Sequence, residues 1–131
     1  MLMNRELAVI NRGLVTEWCE RRGADITTTV IAQQEFFDSI ARDFTFEYKL
    51  GELGENIRTR NMGDLSRVSP GAYVRVNGRI LFEVVRRNAL CADSATRNQR
   101  LWRRILGHGL LCRVVDAQGV VQPNNVIEIL N

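Results

Sequence analysis

The stretch AYVRVNGRILFEVV, residues 72–85, decides how this chain folds. Asn77-Gly78 separates two runs rich in valine, isoleucine and aromatic residues. Asn-Gly is the favoured pair for a two-residue type I′ turn, because both central residues need positive φ. The spacing predicts an antiparallel hairpin that pairs Tyr73 with Phe82, Val74 with Leu81 and Arg75 with Ile80. Both faces of that ribbon are partly apolar, so it is expected to pack on two sides.

Toward the C-terminus the theme repeats. Leu110 to Val115 reads as a strand, Asp116 to Gly119 as a turn, Val120-Val121 as a short return and Val126 to Leu130 as a closing strand. In strand order and turn placement the two hairpins and final strand resemble a small SH3-like or Sm-like barrel. Toward the N-terminus the period changes. Leu7, Ile10, Leu14 and Trp18 stand at helical spacing and predict a helix over Asn4 to Arg22, with Asn4 as its cap, Gly23 as its stop and Gly13 as a cost within it. Thr27, Thr28 and Thr29 offer capping hydroxyls for a second helix, Val30 to Arg42. Phe44, Phe46, Tyr48 and Leu50 alternate with Thr45, Glu47 and Lys49, the mark of a strand with one buried face. Residues 51–71 read as a long connection with one helical turn near Glu52 to Arg58.

The expected fold is therefore α+β and a single domain over residues 1–131. A helical N-terminal part (1–43) precedes a β-rich basic part (44–131), a small antiparallel sheet or SH3-like/Sm-like barrel interrupted by a basic amphipathic helix. A hydrophobic content of 45% with 25% charge is ordinary globular composition. Three cysteines, Cys19, Cys91 and Cys112, are an odd and sparse set, expected as thiols in a reducing compartment. The N-terminus becomes charged at Arg5 and Glu6, and no apolar run reaches the length of a membrane span. A cytoplasmic protein without a membrane partner is the expectation.

Charge is segregated along the chain. Residues 1–56 hold six cations against ten acids, and residues 57–131 hold twelve against five, for +3 overall. Every cation except Lys49 is arginine, whose planar fork suits phosphate, carboxylate and aromatic faces better than an ammonium does. Ser94 to Leu106 reads as an amphipathic helix, capped by Asp93 or Ser94 and stopped by Gly107. At about 100° per residue, Ala95, Asn98, Leu101, Trp102, Ile105 and Leu106 share one arc, while Thr96, Arg97, Arg100, Arg103 and Arg104 share the other. Helices of this kind dock on phosphates. The same arginines can equally pair with the surplus acids of the N-terminal half, within one copy or between two. Trp102, on the apolar arc, is expected in the core.

Other constellations carry less. Cys19, Cys91, His108 and Cys112 contain no Cys-x₂-Cys pair, so neither a zinc site nor any other cofactor is expected. His108, between Gly107 and Gly109, reads as an exposed loop or helix-capping residue. The G-x-x-G of residues 51–54 is followed by Glu55 and contains Glu52, the wrong sign for a phosphate clamp. Asp64-Leu65-Ser66 and Gly71 fall short of a cyclic-dinucleotide signature in their spacing. No catalytic constellation is present, and a non-enzymatic role is expected.

Two roles fit. One is a small regulatory protein that binds nucleic acid or a nucleoprotein through Arg97, Arg100, Arg103 and Arg104, extended by Arg86, Arg87 and Arg79. The other is a protein–protein module, such as an inhibitor, adaptor or assembly subunit of phage or mobile-element type, acting through its bipolar surface. The partner is in either case anionic: DNA, RNA or an acidic protein surface. A homodimer would join the acidic half of one copy to the basic half of another.

Overall fold

The computed structural model describes residues 7–19, 28–45, 47–90 and 99–131. Seven strands close into a barrel among the described residues: β1 (Val9–Trp18), β2 (Thr28–Gln33), β3 (Ile57–Arg60), β4 (Tyr73–Val76), β5 (Ile80–Arg87), β6 (Leu110–Ala117) and β7 (Val126–Leu130). Around the barrel their order is β1-β3-β2-β6-β5-β4-β7, and β7 pairs back onto β1. β2 and β3 run parallel; the other neighbours run antiparallel. Two short helices, α1 (Gln34–Phe44) and α2 (Gln99–Ile105), lie outside it.

The expectation of N-terminal helices followed by a small sheet is overturned. The segment expected as the first helix supplies β1, and only the barrel half of the expectation agrees with the structure. Two of the apolar residues that mimic helical spacing face outward, Ile10 51% and Leu14 40% exposed, while Trp18 packs partly buried against the barrel core. The inward positions of β1 are Gly13 and Val15, and a register shift between Val15 and Glu17 breaks the period-two pattern. A side chain at Gly13 would collide with the backbone carbonyl of Arg60 and the sulfur of Met62, so glycine here lets β1 lie close on β3.

The second expected helix splits in two. Thr28 and Thr29 enter β2 rather than capping a helix, and α1 starts only at Gln34. β2 is buried on both faces: Ile31 points into the barrel, while Val30 and Ala32 pack under the helices. Phe44 ends α1, and Thr45 turns left-handed (φ 56°) with its N–H donated to the Ala41 carbonyl, which stops the helix where a strand was expected. The Glu52 to Arg58 region forms turns and then β3 instead of a helical turn.

The hairpin forms as expected, but one residue out of register. Val76 pairs with Ile80, Arg75 with Leu81, Val74 with Phe82 and Tyr73 with Glu83, leaving Asn77, Gly78 and Arg79 in the loop. Asn77 (φ 54°) and Gly78 (φ 70°) take the positive φ that the dipeptide announces. The observed register turns Val74, Val76, Ile80, Phe82 and Val84 inward together, and burying that set fixes the pairing. β6 and β7 occupy the expected places, whereas Val120-Val121 forms no return strand; Val121 simply plugs the core.

Two cores result. One fills the barrel with Ile31, Ile57, Val74, Val76, Phe82, Cys112, Ile127 and Ile129. The second lies between the outer face of β2 and the helices, where Phe36, Phe37 and Ile40 of α1 meet Leu101 and Ile105 of α2. That second core sets the position of the arginine helix.

Candidate nucleic-acid interface

α2 sits on the molecule through Leu101 and Ile105, 4% and 1% exposed. Two turns of helix with only those two anchors bury a narrow stripe and leave most of the circumference outside. Arg100 and Arg103 are exposed. Arg104 turns toward α1, donating from Nη1 to Asp43 Oδ2 at 2.9 Å and from Nη2 to Ser39 Oγ at 2.9 Å. Arg100 and Arg104 both approach the Phe44 ring, at 5.9 and 5.7 Å. Asp43 is held below the usual carboxylate range, first by the hydrogen bond from Arg104 and then by that from Arg42. Arg104 therefore fastens α2 to α1, as internal pairing with the acidic half anticipates. Arg97 lies outside the described residues.

Trp102 corrects the expectation made for it. The indole is 40% exposed and Leu106 is 42% exposed, so the buried arc is narrower than the apolar arc of the sequence. Of the large apolar residues from Leu101 to Leu106, only Leu101 and Ile105 reach the second core.

Arg86 and Arg87 stand beside the C-terminal end of α2. Asn88 Oδ1 accepts the Gly107 N–H at 2.9 Å, and the His108 carbonyl accepts the Leu90 N–H, which ties the end of β5 to the end of the helix. Arg87 donates to the Ser66 carbonyl at 2.8 Å, and Arg86 to the Asn88 carbonyl at 3.0 Å. The Arg87 contact brings in Arg67, whose side chain is 87% exposed and which the linear spacing gave no reason to include. Arg79 does not join them. It lies in the loop at the other end of β5, about 23 Å from Arg86 at roughly 3.3 Å per strand residue.

Among the described residues, the acids near this end are engaged. Asp64 caps the 3₁₀ turn Leu65–Arg67 by accepting the Ser66 N–H at 3.0 Å and the Ser66 hydroxyl, and these bonds hold its carboxyl low. His108 is half-buried and stacks on Phe36 at 4.2 Å, not exposed as expected. Burial pushes its pKa down, Asp64 opposes that and Arg104 adds to it.

A concave feature lies elsewhere. A pocket of about 500 Å³ opens between β1, α1 and residues 47–50, lined by Glu17, Phe37, Asp38, Glu47, Lys49 and Arg58 among others. Its wall holds a buried pair missed in the sequence: Arg58, with 6% of its side chain exposed, donates to Glu55 Oε2 at 2.8 Å. It also donates to the Tyr48 carbonyl at 3.0 Å and stacks 3.8 Å over Phe37. Glu55, expected to spoil a loop of phosphate-clamping type, is instead a buried partner. The acids Glu17, Asp38 and Glu47 make this pocket a poor receptacle for anions.

Among the described residues no group of three His, Cys, Asp or Glu side chains is placed to hold a metal. Cys19 donates to the Glu55 carbonyl at 3.4 Å, and burial pushes the Cys112 thiol up to about 12; Cys91 lies outside the described residues. No helix among them is long and apolar enough to cross a membrane.

No protein-family model and no curated protein matches the chain by sequence. Its structure is similar to that of the YuaD protein from Bacillus subtilis, with a TM-score of 0.63 and 19% identity over 93% of this chain and 86% of that one. It is also similar to YiiM from Geobacillus stearothermophilus, with a TM-score of 0.59 and 14% identity over 96% of this chain and 76% of that one. At such identities the likeness is one of fold.

Proposed function

We propose that this protein is a non-enzymatic binder of nucleic acid or nucleoprotein, and that Arg86, Arg87, Arg100 and Arg103 at one end of the barrel carry the contact. The observation behind this is that the end of β5, with exposed Arg86 and Arg87, is tied to the C-terminal end of α2, which exposes Arg100 and Arg103, while the described acids nearby, Asp43 and Asp64, bond Arg104 and Ser66. Guanidinium groups presented this way displace condensed counterions from phosphates. Arg104 serves the fold and Arg79 stands apart, so neither belongs to the set.

Fluorescence anisotropy with labelled duplex and single-stranded oligonucleotides tests this across a salt series. Four phosphate contacts at roughly −0.7 to −0.9 each give a slope of log affinity against log salt of about −3 to −4. Replacing Arg100 and Arg103 with glutamine should make the slope shallower by about two contacts' worth, with little change in Tm. Absence of measurable binding to either oligonucleotide at ~50 mM salt would discard nucleic acid and leave the protein–protein module.

A further inference from the structure

The exposed side of α2 is not uniformly basic. With about 100° between successive residues, Trp102 and Leu106 lie about 40° apart and form one ridge; Arg103 and Arg100 lie about 60° apart and form the next. The helical Leu106 N–H to Trp102 carbonyl bond, 3.1 Å, keeps Leu106 on that ridge. A large apolar ridge at 40% and 42% exposure therefore runs alongside two exposed arginines, with Arg86 and Arg87 beyond the helix end.

We infer that the strand bound at this face is single-stranded and that its bases stack on Trp102 while its phosphates meet Arg103, Arg100 and the Arg86–Arg87 pair; the inference rests on the basic-face binding proposed above. Charge complementarity selects a polyanion, and the apolar ridge selects its form. A duplex buries the faces of its bases and offers α2 only base edges and phosphates, so Trp102 would have no base to stack on. An unpaired strand offers a π-face at every nucleotide, and an indole accepts any of them without reading sequence. The side chains of one short helix, on the order of 10 Å across, place the ring and the guanidinium groups within reach of adjacent nucleotides.

The test uses the full chain with labelled oligo(dT), oligo(dA) and a duplex of equal length, measured for the wild type, Trp102→Ala, Trp102→Phe and the Arg100→Gln/Arg103→Gln double variant. The single strands should bind more tightly than the duplex. Trp102→Ala should weaken them by about 10- to 100-fold, with the salt slope and the duplex affinity unchanged, and Trp102→Phe should retain most of the affinity. The double variant should do the reverse, flattening the slope and weakening all three ligands together. Equal binding of all three ligands by the wild type and Trp102→Ala would overturn the stacking inference and leave the basic face standing. No binding of any oligonucleotide would overturn both, and capture of poly-glutamate in their place would assign the ridge to an acidic protein partner.

Discussion

At the scale of single residues, two ionisable groups make the fold sensitive to acid in separate pH windows. Glu128 lies in β7 on the barrel wall. Burial alone would push its carboxyl up, but the hydrogen bonds of two arginine forks prevail and hold it below the ordinary range. Arg12 reaches Oε2 at 3.1 and 2.8 Å, and Arg75 reaches Oε1 at 3.0 and 2.9 Å. A carboxylate with a depressed folded pKa stabilises fully above its unfolded value, about 4.3, and loses that contribution as pH falls through the folded one. His108 is depressed chiefly by burial, so its neutral ring stabilises fully above about 6.5 and costs stability as pH falls below that. Denaturant unfolding across pH should thus show a first decline below about pH 6.5 and a second below about pH 4.3. His108→Gln should remove the first step. Glu128→Gln should shrink the second, which the depressed carboxyls of Asp38, Asp43 and Asp64 share, and lower stability at neutral pH by about 1 kcal/mol, modest because both arginines are partly in solvent. A first decline that persists in His108→Gln would assign it to another group. None of this was legible in the sequence: nothing in Glu128's neighbours announces two arginines from β1 and β4, and the Glu55–Arg58 pair hides in a segment that reads as polar loop.

At the scale of elements, legibility followed how far one face alone is buried. β4, β5 and β7 alternate or run apolar over short lengths between turn residues, and each was read from its pattern. The one-residue error in the hairpin arose because the turn dipeptide suggests a loop of two, whereas the inward set Val74, Val76, Ile80 and Phe82 demands three. β2, buried on both faces, has no period to distinguish it from a helix running into α1. β1 misleads more strongly, since Ile10 and Leu14 face outward and a glycine shares the inward face with Val15. Two glycines separate these cases experimentally. Gly13→Ala should destabilise by about 2–3 kcal/mol, because the rigid Arg60 carbonyl cannot yield to a methyl group. Gly78→Ala meets nothing within 4 Å but carries a φ of +70°, so it should cost only about 1 kcal/mol of backbone strain. Equal losses in urea unfolding would refute the close approach of β1 to β3. The arginine helix was legible as a helix, but not its narrow buried stripe. That stripe depends on α1, whose start the sequence obscured.

At the scale of the whole molecule, the bipolar sequence does not remain bipolar in space. Ion pairs among the described residues join the acidic half to the basic half within one copy: Glu17 and Glu55 with Arg58, Asp38 with Arg60, and Asp43 with Arg104. The homodimer anticipated from the charge pattern would have to break these pairs or rely on the charges outside them. Among the described residues the closed barrel also leaves no unpaired edge strand through which two copies could join their sheets. What remains for charge-driven self-association is the weak attraction of residual surface charge, which salt removes as the Debye length falls from about 10 Å at 0.1 M to about 3 Å at 1 M. The protein should therefore elute as a monomer by light scattering at both ~50 mM and ~1 M salt. Charge reversal at Asp38 (Asp38→Arg) should lower Tm without changing that mass, because its partner Arg60 is in the same chain. A dimer at low salt that dissociates at high salt, and that Asp38→Arg abolishes, would instead place the acidic half of one copy on the basic half of another.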